Sequence, residues 1–366
     1  MNILVLYQSP WKNAASYYSY NLVKALKLNG HKVHFAGNMN LAVTQDINEL
    51  DVKLHDINLF VHSPFKFLSN LNRIKKIIRN ENIELLLPVS APGHIVSGFF
   101  KYMYKGDIPV IKFCLDNVRP TNNIFNKYLH NNLTNYLVFP GNSTLIRYDN
   151  IFKIKKYKIL HAPLEFNNFL DFSFDSDLKR SLNIPENKIV VSFIGRFSPE
   201  KGIYFLIDII KRVVEKSDKV FFLLSGSEEQ IKHKDIWNLV IENNLQKNVK
   251  IIDRVDDVRK IMSITDIGIL SSRYSEFICR IAMEFMAFKK PVVAPDLNVI
   301  PEVIENEKSG YIYDLNNSRM ASDFILHLAN NDIHRKLMGE MGSNRIKSLY
   351  SLEYFRKELD NVLMEL

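Results

Sequence analysis

Short apolar runs alternate along this chain with longer stretches of helical period. Residues 2–7 read as a buried strand, 14–29 as an amphipathic helix, and Gly30 with 31–36 as a helix stop and a second strand. The alternation returns as a helix at 68–80, a strand at 83–88, a helix at 93–104 and a strand at 109–115. Short strands at 136–139 and 158–161 precede Pro163. Strands that are apolar throughout and separated by helical crossovers belong to parallel sheets covered on both faces. Residues 164–187 lose this pattern and become rich in Asn, Asp and Ser, as a connection between domains does. A new strand at 188–195 restarts it, followed by strands at 220–224, 249–252, 267–270, 291–294 and 310–313. The reading is α/β, with Rossmann-like, doubly wound domains at 1–165 and 186–350 and a linker at 166–185. A final helix at 351–366 is expected to pack back on the first domain. Ligands of such sheets lie beyond the carboxyl ends of the strands, so the turns there are where chemistry is sought.

Composition narrows the partners. A chain of 366 residues with 46% hydrophobic content exceeds the size at which one core usually divides, which agrees with two domains. The net charge of +8 calls for an anionic partner, and nucleic acid, phosphorylated small molecules and acidic lipid all answer that description. The amino-terminal run lacks the basic lead of a signal peptide, and no apolar run approaches the ~18 residues that span a bilayer. Two cysteines, Cys114 and Cys279, imply neither a disulfide framework nor a zinc cluster, so a reducing cytoplasm is expected.

Two stretches carry candidate chemistry. After the 188–195 strand comes Gly195-Arg196-Phe197-Ser198-Pro199-Glu200-Lys201-Gly202, where Ser198 suits an N-cap and Pro199 the first helical position. A helix N-terminus with a close-approach glycine and two cations makes a phosphate cradle, although an ordinary capped helix with two solvated cations reads the same way. The second stretch, 269–295, holds Glu276 at a turn and Glu284 eight positions later. Helical spacing would rotate the two by only about 80°, so they should point the same way. Glu284 lies among Ile281, Met283, Phe285, Met286 and Phe288, and burying a lone charge is costly, so it needs a partner: a ligand or a neighbouring cation. Cys279 near the helix start reads either as a thiol of lowered pKa or as a small buried side chain. His94 follows a strand end and reads more readily as structural than as lining a site, and Trp11 and Trp237 read as packing residues. The basic, aromatic stretches 64–79 and 99–105 fit either a solvated helix face or a surface resting on anionic lipid.

In order along the chain, I-G-R-F-S-P-E-K-G, S-S-R-Y-S-E-F-I-C-R-I-A-M-E-F-M-A-F-K-K-P-V-V-A and I-P-E-V-I-E-N-E-K-S-G-Y-I-Y resemble the carboxyl-terminal half of the retaining glycosyltransferases of family 4. The likeness covers residues 188–315; over 1–160 it rests on strand order and on G-H-K-V-H-F. It implies the GT-B fold, two Rossmann-like domains facing across a cleft that closes over the donor. It also implies a metal-independent enzyme without cofactor that takes a UDP- or GDP-linked sugar. Arg196 and Lys201 match the cations that hold the donor diphosphate, with Gly195 allowing backbone approach. Glu276 matches the acid that faces the transferred sugar, and Glu284 the one that accepts from the ribose hydroxyls. Backbone N–H groups of Ile278, Cys279 and Arg280 would meet phosphate or sugar, and Val255 would flank the base. The implied acceptor is a glycan or lipid-linked glycan of cell-envelope or exopolysaccharide synthesis, met in the cytoplasm at the inner face of the membrane, with no nucleic-acid partner.

The chain also departs from the family. Pro10-Trp11-Lys12-Asn13-Ala14-Ala15 stands where members carry a Gly-Gly loop, Leu115 beside Asp116 where they carry a histidine, and Asn298-Val299 where they carry a second glycine pair. These departures motivate a second reading, a GT-B subunit that binds without turnover; a third, a nucleotide-sugar epimerase on the same fold, ranks last because its expected histidine and carboxylate set is not evident in the amino-terminal half.

Overall fold

The computed structural model describes residues 1–61, 63–104, 107–115, 119–170, 172 and 176–366. The chain divides into two compact units, Met1–Pro163 with Leu352–Leu366, and Leu164–Ser351. The stretch 166–185, read as a linker, instead belongs to the second unit, with a 3₁₀ turn at Phe166–Phe169 and a helix at Ser176–Ser181.

The first unit holds strands β1 (Asn2–Leu6), β2 (Lys32–Gly37), β3 (Lys53–Asp56), β4 (Leu85–Pro88), β5 (Ile111–Phe113), β6 (Tyr136–Phe139) and β7 (Tyr157–Ile159). Their order is β3-β2-β1-β4 and β5-β6-β7, parallel throughout, and a single bridge from Leu86 to Val110 joins the two sets. The final helix, Leu352–Met364, turns Leu352, Phe355, Leu359, Val362 and Leu363 inward at helical spacing. Phe355 meets Tyr18 edge-on at 5.5 Å, Arg356 Nε donates to Asn29 at 2.7 Å, and Lys158 pairs with Glu358. Tyr18 in turn donates its buried hydroxyl to the Leu160 carbonyl at 2.7 Å.

The second unit holds β8 (Ile189–Ile194), β9 (Val220–Gly226), β10 (Val249–Asp253), β11 (Ile267–Ile269), β12 (Val292–Pro295) and β13 (Gly310–Tyr313). They form one parallel sheet in the order β10-β9-β8-β11-β12-β13. Its core runs through Phe193, Phe222, Leu224 and Ile269 to Ile203, Leu206 and Ile210 of helix Ile203–Val214 and Ile325 of helix Ser318–Asn330. The strand order reverses between β8 and β11, which opens a crevice at their carboxyl ends.

Several readings need correction. The strand read at 109–115 shortens to Ile111–Phe113, and β3 and helix Ala42–Asn48 come from stretches without a clear pattern. His94 is buried, its Nε2 2.8 Å from Thr134 Oγ1 and its ring against His130, so it is structural. Trp11 is no packing residue: it is 73% exposed, on a loop pinned by Ser9 and Ser16. Asp116 lies outside the described residues.

Candidate functional site

At the β8–β11 crevice, two loops are stitched together before any ligand is considered. After β8, Ser198 accepts the Lys201 N–H and caps a 3₁₀ turn, Pro199–Lys201; the expected α-helix does not start there. Gly202 breaks the turn in a left-handed conformation (φ 69°), and helix Ile203–Val214 begins after it. A Cβ at Gly202 would run into the Ser271 carbonyl oxygen, so both the backbone angle and the approach require glycine. After β11, Ser271 Oγ donates to the Lys201 carbonyl at 2.7 Å and Arg273 N donates to the Glu200 carbonyl at 2.8 Å. These bonds deliver the Lys201 ammonium to the Glu276 carboxylate. The two form an ion pair, and Ser272 Oγ donates to the same Glu276 oxygen at 2.6 Å.

Glu276 is held by its backbone as well. Its N–H donates to Asn298 Oδ1 at 3.0 Å, and its carbonyl accepts the Val299 N–H at 3.1 Å. Asn298 adopts φ 48°, taking the left-handed conformation for which glycine was sought; Asn does so at small cost because its short polar side chain bonds locally. Ser272 was not singled out from sequence, and Asn298 was noted only as a departure from the family's glycine pair. The signal for Asn298 was its place in the loop after β12, and for Ser272 its place four residues before Glu276.

The helix carrying Glu284 is Arg280–Ala287, and Cys279 enters it with a positive φ of 54°. Glu276 therefore stands in the preceding loop, and the helical rotation argument for the two acids does not apply. Glu284 is buried, with 2% of its side chain exposed. Its Oε1 accepts from Arg280 Nε at 2.6 Å, the neighbouring cation foreseen as one alternative. Its Oε2 is buried and has no hydrogen-bond partner among the described residues. Burial pushes this carboxyl above the usual range, Arg280 draws it back, and the charge of Asp257 adds to the rise. An orphaned carboxylate oxygen in a buried site costs free energy that a hydroxyl donor would recover.

The other expected residues fall around this centre. Arg196 reaches Glu229 at 2.5 Å and Glu200 at 3.8 Å and is half exposed, so an anion must exchange with those carboxylates to reach it. Gly195 donates its N–H to the Ser225 carbonyl at 3.0 Å. Val255 packs partly buried behind β10, beside Asp257, whose carboxylate caps helix Val258–Ser263 and grips Arg259. The Ile278 and Cys279 side chains are buried, which leaves only their backbone to meet a ligand. Burial pushes the Cys279 thiol well up, Glu276 adds to this and Lys201 opposes it. The lowered thiol is thus overturned in favour of a small buried side chain. The site offers two cations already matched by three carboxylates, and a fourth carboxylate, Glu284, with one oxygen unpartnered among the described residues. Such an array can take up a dianionic group and a vicinal diol together.

Residues 174–345 match the family described as Glycosyl transferases group 1, and residues 11–137 match Glycosyl transferase 4-like. Poly(ribitol-phosphate) alpha-N-acetylglucosaminyltransferase of Staphylococcus aureus is 30% identical over 207 residues, 56% of this chain and 38% of that protein. N-acetyl-alpha-D-glucosaminyl L-malate synthase of Bacillus anthracis is 21% identical over 353 residues, 92% of this chain and 88% of that one. Against several curated relatives, the chain spans only about two fifths to half of the relative's length. Among solved structures, Anabaena HepE in complex with UDP superposes with a TM-score of 0.87 at 16% identity, covering all of both chains.

Proposed function

We propose that this chain, which belongs to the group 1 glycosyltransferases of GT-B fold, moves a sugar from a UDP- or GDP-linked donor to a hydroxyl of a cell-envelope glycan or glycolipid, with retention at the anomeric carbon. The observation that carries this reading is the Lys201–Glu276 pair, seated by two loops at the strand-order reversal of the second unit's sheet. A doubly wound sheet binds its ligand at that place.

In this reading the donor diphosphate displaces Glu276 from Lys201 and Glu229 from Arg196, so that both cations face the leaving group. The bond from the anomeric carbon to the phosphate oxygen breaks, and the two cations stabilise the charge that develops on the diphosphate. The acceptor oxygen forms the new bond on the same face, and its proton passes to the departing diphosphate. Glu276, freed from Lys201 but still bonded to Ser272 and fixed through Asn298, turns its carboxylate to the sugar. Glu284 Oε2 accepts from a ribose hydroxyl. The Staphylococcus aureus relative, a poly(ribitol-phosphate) alpha-N-acetylglucosaminyltransferase, supports a polyol-phosphate polymer as one class of acceptor.

The test is a thermal-shift screen of UDP, GDP and their sugars, followed by transfer and hydrolysis assays. A ligand that binds the native state raises the midpoint with its concentration. The reading expects one nucleotide class to do so and its sugar to be transferred. No shift with any nucleotide diphosphate refutes it, and binding without transfer or hydrolysis reassigns the chain as a non-catalytic binding subunit.

A further inference from the structure

Lys201 is bracketed by one residue of the loop after β11. Arg273 N donates to the carbonyl of Glu200, the residue before Lys201. A Cβ on Gly202, the residue after it, would stand 2.9 Å from Arg273 Cγ, so the aliphatic stem of Arg273 lies against the turn. Beyond the stem, the guanidinium reaches a third loop. Its Nη1 donates to the Leu315 carbonyl and its Nη2 to Asn316 Oδ1 at 2.5 Å, both in the connection from β13 to helix Ser318–Asn330. That connection borders a cavity of about 580 Å³, so the guanidinium supplies a hold that packing on that side does not.

The guanidinium is itself fixed. It lies over the Phe205 ring, 4.6 Å from the centroid, and Phe205 stacks on Tyr313 at 6.0 Å. Tyr313 donates its buried hydroxyl to the Leu270 carbonyl at 2.8 Å, three residues before Arg273. The contacts thus return to the loop they start from and join the carboxyl ends of β8, β11 and β13. Both side-chain acceptors are neutral oxygens, so the hold is geometric and not that of an ion pair. A planar fork that serves two acceptors while its face covers an aromatic ring is a task for Arg that the point charge of Lys does not perform.

A Lys ammonium ends a flexible four-carbon stem, so its direction is set by the backbone it starts from and by what it bonds. Without ligand, Glu276 and Ser272 aim Lys201. Once a diphosphate displaces Glu276, the turn backbone must keep the ammonium on the leaving group. We infer that Arg273 is a positioning residue for the diphosphate: at Glu200 and Gly202 it holds the turn that presents Lys201, and at Leu315 and Asn316 it ties that turn to the loop after β13. The inference rests on the reading of Lys201 as the cation that meets the donor diphosphate.

The experiment is calorimetric titration of the full chain with UDP, GDP, uridine and guanosine, for the wild type, Arg273→Gln, Lys201→Ala and the two together, with melting midpoints recorded for each. Arg273→Gln should weaken the better-bound diphosphate about tenfold and leave its nucleoside unchanged, and it should add less than about twofold once Lys201→Ala is in place. Arg273→Lys, which keeps the charge and the stem but not the fork, should fall between the wild type and Arg273→Gln. If Arg273→Gln does not fold, Arg273→Lys carries the same cycle. Wild-type diphosphate affinity in Arg273→Gln, equal losses for diphosphate and nucleoside, additive losses in the double variant, or Arg273→Lys binding as the wild type does would each overturn the inference and leave the transferase reading standing. A Lys201→Ala variant that binds the diphosphate as tightly as the wild type overturns both.

Discussion

Replacing Glu284 with Gln separates what the fold wants from what the site wants. In the unliganded chain the carboxylate is buried with one oxygen bonded to Arg280 and the other unpartnered among the described residues. An unsatisfied buried polar atom costs about 1–3 kcal/mol. Arg280 is 44% exposed, so the ion pair with it contributes under about 1 kcal/mol. Gln keeps the shape and an acceptor for Arg280; its amide nitrogen stands as unpartnered as Oε2, so what it relieves is the buried charge, for a net gain near 1 kcal/mol, or about 2–4 °C in melting midpoint for a unit of this size. The pH dependence has a definite sign. Because burial raises the folded-state pKa, ionising Glu284 costs the folded state, and this cost is absent below the unfolded value of about 4.3. The advantage of the Gln variant should therefore be nil in acid and grow as pH rises through the raised value. Nucleotide binding should move the other way. Losing a charged acceptor for a ribose hydroxyl costs about 1.5–3 kcal/mol, an affinity drop of roughly 10- to 150-fold. Thermal melts across pH and calorimetric titration with the nucleotide read both effects. A Gln variant that melts no higher at neutral pH and binds the nucleotide as tightly as wild type would refute the reasoning.

Three further outcomes follow from the same geometry. Lys201→Ala should lower kcat/KM about 10²–10³-fold in a transfer assay, with an unchanged circular dichroism spectrum, because the role proposed for the ammonium is at the leaving group and not in the core. Gly202→Ala should cost about 1–2 kcal/mol for the left-handed backbone alone, and more for the collision with the Ser271 carbonyl, read by urea unfolding. Asn298→Gly and Asn298→Ala should both reduce kcat more than they raise KM, since each removes the acceptor that fixes Glu276; Ala should be the less stable by about 1 kcal/mol, by its midpoint in urea.

Much of the second unit was legible because its strands are buried on both faces, and runs such as Ile189–Val191 and Val220–Leu224 are apolar without interruption. β3 was not, because Lys53–Asp56 is a short edge strand with one apolar residue, Leu54, and edge strands need no apolar pattern. The two glutamates could be picked out by their motif, but their relation could not be obtained by counting. A single left-handed residue at Cys279 delays the helix to Arg280 and leaves Glu276 in a loop. Likewise Ser198-Pro199 carries the signature of a helix start, yet Gly202 divides that start into a 3₁₀ turn and a separate helix. Asn298 was read as a departure because a glycine was expected there, although the conformation and not the residue type was what the loop required. The pairing of Lys201 with Glu276 depends on bonds between loops some seventy residues apart, Ser271 to Lys201 and Arg273 to Glu200, which no local pattern records.

The account's central claim is that the second unit grips a diphosphate through Arg196 and Lys201. Its most direct test is calorimetric titration of the wild type and of Arg196→Ala, Lys201→Ala with a nucleoside diphosphate and with the bare nucleoside. At about 1.5–3 kcal/mol for each charged hydrogen bond, the wild type should prefer the diphosphate, and the double variant should lose at least about 100-fold in that affinity while its weak nucleoside binding is unchanged. Equal affinity of the wild type for nucleoside and diphosphate, or diphosphate binding that survives the double substitution, would contradict it.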